Sequence, residues 1–327
     1  MRNFLTASGK IGAFFALFIF ATTAIVAQPG SGNLKLRRAL DTDGDMKADL
    51  SVFRPLDNTW YIAQSGGGYL FQQFGVANDD FMAPGDFDGD LKGDISVWRD
   101  TNGYWYRLNS STNTFVAVAF GVTGDNPVGR DYDGDGKTDL AVVRRTGGNM
   151  IWYISRSIDG AYAGGSFGVQ TDFPAPGDYD GDGKFDLAVQ RPGATSTSPS
   201  TFYIQRSTDG GLDVVSWGFS NDLVVPGDYD GDGKTDIAVV REGATDGSNL
   251  GWYIRRSSDG QLMGLLFGIT STDFNVQNDY DGDGKTDIAV WRDTTGTFYI
   301  LRSTDGGLYG ANWGSPGDNP IASYDTH

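Results

Sequence analysis

One nine-residue stretch recurs six times with small edits, and a clear copy reads Asp131-Tyr132-Asp133-Gly134-Asp135-Gly136-Lys137-Thr138-Asp139. The copies begin at Asp41, Asp86, Asp131, Asp178, Asp228 and Asp279, so the successive steps are 45, 45, 47, 50 and 51 residues. A period of this length is that of one propeller blade or a comparable β-unit.

Each unit reads alike. In the third, Leu140-Ala141-Val142-Val143-Arg144 follows the loop; a turn at Thr146-Gly147-Gly148 leads to Ile151-Trp152-Tyr153-Ile154; Ser157-Ile158-Asp159-Gly160 turns again, and a less regular stretch ends in Phe167-Gly168. Short β-branched and aromatic runs bounded by Gly, Asp and Ser predict strands, and no helical period of adequate length follows residue 27. The landmarks stay in register. The third strand carries Trp60-Tyr61, Trp105-Tyr106, Trp152-Tyr153, Phe202-Tyr203, Trp252-Tyr253 and Phe298-Tyr299, and the fourth ends at Phe74-Gly75, Phe120-Gly121, Phe167-Gly168, Trp217-Gly218, Phe267-Gly268 and Trp313-Gly314. The expected fold is therefore all-β: a β-propeller of six four-stranded blades, since radial closure keeps strand edges short.

How the ring closes has more than one reading. Leu34-Lys35-Leu36-Arg37-Arg38 reads as a first strand for unit one, yet Asp318 to Asp325 resembles Asp125 to Asp133, a seventh first strand with no blade behind it. Six blades closed at the termini is the expectation; a seven-bladed or assembly-completed ring is the alternative.

Carboxylates at positions 1, 3 and 5 of a loop, with Gly at 4 and usually 6, let the chain curl so that several oxygens reach one centre, as oxygen-only sites for hard cations require. The spacing predicts up to six Ca²⁺ sites, each with a fourth carboxylate at position 9 and the main-chain carbonyl of position 7. The candidate ligands are Asp41, Asp43, Asp45, Lys47 and Asp49; Asp86, Asp88, Asp90, Lys92 and Asp94; Asp131, Asp133, Asp135, Lys137 and Asp139; Asp178, Asp180, Asp182, Lys184 and Asp186; Asp228, Asp230, Asp232, Lys234 and Asp236; and Asp279, Asp281, Asp283, Lys285 and Asp287. An EF-hand would need a bidentate Glu at position 12, where this chain has Val52, Val97, Val142, Val189, Val239 and Val290. Position 6 is Met46 in unit one and Leu91 in unit two, where the others have Gly, so those two loops are expected to be weaker or strained.

Phe167-Gly168 followed by Pro176-Gly177-Asp178-Tyr179-Asp180-Gly181-Asp182-Gly183-Lys184-Phe185-Asp186-Leu187-Ala188-Val189 resembles the FG-GAP or VCBS repeat proteins, of which the integrin α-subunit propeller is a well-known relative. The similarity runs from about residue 34 to 325. It implies a propeller with calcium held between the first and second strands of each blade, and a binding or adhesion role.

The remaining residues narrow the function. Of 42 acidic residues only Glu242 is a glutamate, and four Asp sit in each loop, so the net charge of −17 is local chemistry; with no offsetting Lys/Arg cluster, nucleic acid is not an expected partner. Arg2 and Lys10 precede an apolar run from Ile11 to Ala27. Residues 1–27 read as a signal peptide, with an uncleaved anchor as the competing reading, and residues 28–33 as a flexible linker before a propeller over 34–327. The expected location is secreted, periplasmic or cell-surface, with no stable membrane insertion after cleavage. There is no Cys, so bound metal rather than disulfides would staple the fold.

The Trp-Tyr pairs could stack sugars, but alternation assigns them to packing between blades. The arginine ending the second strand (Arg54, Arg99, Arg144, Arg191, Arg241, Arg292) could bind an anion, though an internal salt bridge is the plainer use. The sole His is His327 and there is no Cys nucleophile, so no catalytic residue is assigned and no enzyme is expected. Units four and five insert Pro192 to Ser200 and Glu242 to Asn249 between their second and third strands, on the face opposite the loops. Such insertions are either tolerated drift or a binding surface. The expectation is an exported, calcium-stabilised binding or adhesion module for a protein or glycan, with a lectin proper and a polysaccharide lyase or glycosidase as rivals.

Overall fold

In every unit the residue after the position-9 aspartate starts or shortly precedes a buried strand: Leu50–Arg54, Ile95–Arg99, Leu140–Thr146, Leu187–Arg191, Ile237–Arg241 and Ile288–Arg292. Each folds back on the Trp/Phe-Tyr strand as an antiparallel hairpin, with Phe53 opposite Trp60, Val143 opposite Trp152 and Trp291 opposite Phe298. A fourth strand pairs outside and a short first strand inside. The result, in a computed structural model that describes residues 39–322, is six four-stranded antiparallel sheets arranged as a β-propeller with no α-helix among the described residues. The expected signal peptide over 1–27, the linker over 28–33 and His327 lie outside the described residues.

Packing between blades explains two of the sequence landmarks. The position-12 valines are essentially fully buried, and the glycine of each Phe-Gly or Trp-Gly pair has positive φ (Gly268 at 96°). A Cβ built on Gly268 would stand 3.0 Å from Val290 Cγ1 of the next blade, so a side chain there would push two sheets apart. The phenylalanine of the pair offers its carbonyl: the Trp60, Trp152 and Trp252 indoles donate to the Phe74, Phe167 and Phe267 carbonyls at 2.9–3.0 Å. Blade four has Phe202 instead, and Ser200 Oγ donates to the Trp217 carbonyl in its place. The paired aromatic residue on the third strand is thus core, satisfied at its one polar atom.

Closure corrects one expectation. The first strand of blade one is Asn319–Pro320, paired with Leu50–Arg54 (Val52 opposite Pro320, Phe53 opposite Asn319), not Leu34–Arg38, which lies outside the described residues. The apparent seventh first strand therefore completes the first blade. Ile321 N–H donates to the Ser51 carbonyl at 2.9 Å, and two residues earlier, just before the second strand, Asp49 N–H donates to the Leu40 carbonyl at 2.8 Å. One inner edge is built half from residues 319–321 and half from residues 39–41. The physical reason is that residues 318–321 carry the aspartate and the buried Ile321 that the clasp and core need.

That clasp recurs in each blade. Arg54 Nε and Nη2 each donate to Asp318 at 2.8 Å, and Arg99–Asp80, Arg144–Asp125, Arg191–Asp172, Arg241–Asp222 and Arg292–Asp273 repeat the two-pronged pair. Each guanidinium also lies over the tyrosine of its own third strand, at 4.2 Å for Arg54 on Tyr61. The recurrent arginine is an internal tie between first, second and third strands. Asp318→Ala should cost about 2 kcal/mol, the loss expected for a charge-assisted pair whose carboxylate is buried. Urea unfolding measures the loss, and amide hydrogen exchange in Leu50–Arg54 should show the first blade loosening ahead of the others.

Candidate metal centres

The loops sit between the first and second strands, and main-chain donors dictate their shape. At position 1, Asp131 Oδ1 accepts the N–H of Gly134 at 2.6 Å and Oδ2 that of Gly136 at 2.8 Å; the other five copies do the same with their positions 4 and 6. Position 5 accepts the N–H of position 7, as Asp135 does from Lys137 at 2.8 Å. This curl needs a left-handed backbone at positions 4 and 6. Gly134 and Gly136 have φ of 85° and 89°, and Met46 and Leu91 are held at 68° and 73° with exposed side chains, so the expected strain at those two positions is present.

The position-9 aspartate is fixed from two sides. Asp139 Oδ2 accepts the N–H of Tyr132 at 2.8 Å, and Oδ1 accepts that of Ser157, in the turn between third and fourth strands, at 2.7 Å. Ser65, Ser110, Ser207, Ser257 and Ser303 do likewise for Asp49, Asp94, Asp186, Asp236 and Asp287. The next turn residue donates its N–H to the position-3 carboxylate, as Gly66 does to Asp43 at 3.0 Å and Ile158 to Asp133 at 3.2 Å. These turn serines were not among the residues singled out from the sequence, although they recur in register after each Trp/Phe-Tyr strand. Several also donate a hydroxyl to position 5, Ser157 to Asp135 at 2.8 Å for one.

Carboxylate oxygens of Asp41, Asp43 and Asp45 lie within 4.8 Å of one another, as do those of Asp86, Asp88 and Asp90; in the third, fourth and fifth loops positions 1, 3 and 9 converge instead, at Asp131-Asp133-Asp139, Asp178-Asp180-Asp186 and Asp228-Asp230-Asp236. Burial pushes the carboxyl of Asp186 up to about 7, and those of Asp139, Asp236 and Asp287 to about 6, with the position-3 carboxylate adding to the rise. At position 1, burial likewise raises Asp228 to about 7 and Asp41 and Asp86 to about 6. An ionised carboxylate has about four acceptor sites, so the N–H bonds orient these oxygens while leaving capacity for a cation. An oxygen-only donor set, crowded and desolvated, fits a hard divalent ion such as Ca²⁺, whose charge would reverse the rise. Asp at positions 1, 3, 5 and 9 would hold it, with the position-7 carbonyl.

The six loops also touch one another. The position-8 N–H of each donates to the position-1 carbonyl of the preceding loop: Gly93 to Asp41, Thr138 to Asp86, Phe185 to Asp131, Thr235 to Asp178, Thr286 to Asp228 and Ala48 to Asp279, at 2.6–2.9 Å. The stem of each position-7 lysine lies across the position-4 glycine of the same neighbour, so that a Cβ on Gly89 would stand 2.7 Å from Lys137 Cε. The lysine side chains thus serve the ring, while only their carbonyls are candidate ligands.

On the opposite face, the insertions of blades four and five adopt one conformation. Gly193 N–H donates to Ser220 Oγ at 2.7 Å and Gly243 N–H to Thr270 Oγ1 at 2.8 Å; Ser220 and Thr270 N–H in turn donate to the Ser198 and Ser248 carbonyls. The third and fourth strands of those blades are no longer than the corresponding Asn149–Ser155 and Tyr162–Val169 of blade three, so the inserted residues form only the connections between second and third strands.

Residues 131–189 match the FG-GAP-like repeat family. No curated protein matches the chain. Among solved structures it is similar to a triple arginine-to-alanine mutant of AofleA from Arthrobotrys oligospora (12% identity, TM-score 0.46, covering 89% of this chain and 90% of that one). It is also similar to a protein from Lactobacillus plantarum (12%, 0.40, 85% and 90%) and to the β-propeller domain of the Trilobed protease from Pyrococcus furiosus (12%, 0.37, 76% and 85%).

Met46→Gly and Leu91→Gly should each stabilise the protein by about 1 kcal/mol, because each removes a side chain from a left-handed backbone and gives up little packing. Chemical denaturation of the single and double variants checks this, and the two gains should add, since the residues lie on different loops.

Proposed function

We propose that this chain, a six-bladed propeller carrying FG-GAP-like repeats, is an exported binding module in which Ca²⁺ is structural and the ligand, a protein or a glycan, docks on the face opposite the metal loops. The observation that carries this reading is the linkage of all six aspartate loops into one hydrogen-bonded circle. A metal held in a loop that also bonds to both neighbours serves the ring, and six near-copies at equivalent places serve architecture better than chemistry.

Two observations support the opposite face. The insertions at 192–200 and 242–249 fold alike and lie on adjacent blades, which is more order than drift would leave. The clasp arginines beneath them are already paired, so the exposed groups there are free to differ without loosening a blade. Export rests on the residues 1–27 pattern.

Thermal unfolding with EDTA and with titrated Ca²⁺ tests the metal. Ca²⁺ should raise the melting temperature and EDTA lower it, each site adding about 2.7 kcal/mol at a hundred times its Kd. Asp133→Ala should remove more of the Ca²⁺-dependent rise than Asp88→Ala, because the second loop already carries Leu91 at positive φ. A melting temperature indifferent to both reagents would overturn the structural-metal reading. For the docking face, excising residues 194–197 or 244–247 should abolish binding to the ligand found on a panel of glycans and cell-surface proteins while the melting temperature holds.

A further inference from the structure

The six seams between blades are not equivalent. At the seam where blade six meets blade one, three aromatic side chains stack and a fourth, Tyr309, lines the cleft beside them. Tyr69 and Phe71 come from the fourth strand of blade one, and Tyr309 and Trp313 come from the end of blade six. Tyr69 stacks on Trp313 with centroids 5.1 Å apart and planes 9° apart; Tyr69 and Phe71 are 6.1 Å apart at 8°, and Phe71 and Trp313 6.3 Å apart at 17°. The three rings are nearly parallel, and Tyr69 and Phe71 remain 67% and 56% exposed.

Strand register shows that aromatic rings at the Phe71 and Tyr309 positions are particular to this seam. Phe71 lies opposite Tyr61; the residue opposite the same tyrosine in the other blades is Ala117, Gly164, Val214, Gly264 or Gly310. Tyr309 lies opposite Ile300, where the other blades have Leu70, Val116, Ala163, Asp213 or Met263. Trp313 is anchored through its indole N–H to the Tyr61 carbonyl at 3.1 Å, so the platform is held from beneath. Alongside runs a cleft of about 320 Å³ lined by Leu50, Ala63, Gln64, Ile300, Arg302 and Tyr309. Arg302 pairs with Asp305 through Nη2 at 2.7 Å, and its buried Nε has no hydrogen-bond partner.

We propose that this seam is a carbohydrate-binding site, in which the exposed Tyr69 and Phe71 rings, stacked against Trp313, take the C–H face of a neutral pyranose and polar groups of the adjoining cleft such as Gln64 and Arg302 take its hydroxyls. A flat aromatic platform of this kind can stack either a sugar or a nucleobase, and the charge decides between them. Lys47 and Arg302 line the cleft together with Asp281, so it is the net charge of −17 on the chain as a whole that repels a phosphate backbone, a penalty that a neutral sugar does not meet. A cleft of this volume, part apolar and part polar, is at the small end of ligand sites and suits one or two sugar rings. The site uses none of the opposite-face insertions, so it stands or falls apart from the docking face described above.

The test is a neutral-glycan array in Ca²⁺-containing buffer, followed by calorimetric titration of the strongest binder into the wild-type protein and variants. Tyr69→Ala and Phe71→Ala should each weaken binding at least tenfold with the melting temperature unchanged. Tyr162→Ala, the register equivalent in blade three, should leave affinity intact. The proposal is overturned if no neutral glycan binds, or if binding survives both seam variants. Loss of binding on excising residues 194–197, with Tyr69→Ala silent, would likewise overturn it and place the sugar on the other face.

Discussion

A main-chain N–H from one aspartate loop to the first carbonyl of the loop before it, repeated six times, turns six separate hairpin turns into a circle. The position-4 glycine of the preceding loop lets a lysine stem lie directly on it beside this bond. Position-1 and position-9 carboxylates are buried in the same place, and the raised pKa of Asp228 and Asp186 reports how unfavourable that burial is without counter-charge. The loops therefore join two opposed demands. The ring requires them close, and their charge requires a cation or a proton to allow it.

Much of this was legible in the sequence because the repeats are in register. The Asp spacing gave the loops, the period gave the blades, and Val at position 12 pointed to a strand rather than an EF-hand helix; all six valines are buried as that reading requires. Met46 and Leu91 stood out as departures from glycine, and their backbone is left-handed. What could not be read were partnerships between residues far apart in the chain. In five blades the aspartate that clasps the arginine lies 19 residues before it, and although each clasp aspartate follows the Phe-Gly or Trp-Gly pair by four or five residues, nothing in that spacing names the distant arginine as its partner. Leu34–Arg38 has good strand composition, yet the place beside Leu50–Arg54 goes to Asn319–Pro320, because only that segment brings a clasp aspartate with it.

The departures from sixfold likeness fall in two places, and they differ in kind. On one face, blades four and five raise matched hairpin extensions. At the seam of blades six and one, two positions that hold no aromatic residue in any other blade hold Phe71 and Tyr309, and Trp313 stands where four of the other five blades have phenylalanine. Repetition sets the frame, and the edits concentrate where the frame is exposed.

Five of the six clasps link residues 19 apart, but Arg54 and Asp318 are separated by 264. Ring-closure entropy for the long span exceeds that of the short ones by about 2 kcal/mol. Blades two to six can each complete their sheets from contiguous chain, whereas blade one must wait, one inner edge bare, until the last segment has been made. During synthesis the earliest hairpin to emerge is thus the last to be finished, and its unpaired Leu50–Arg54 edge is the part of the molecule most open to pairing with another chain in the interval.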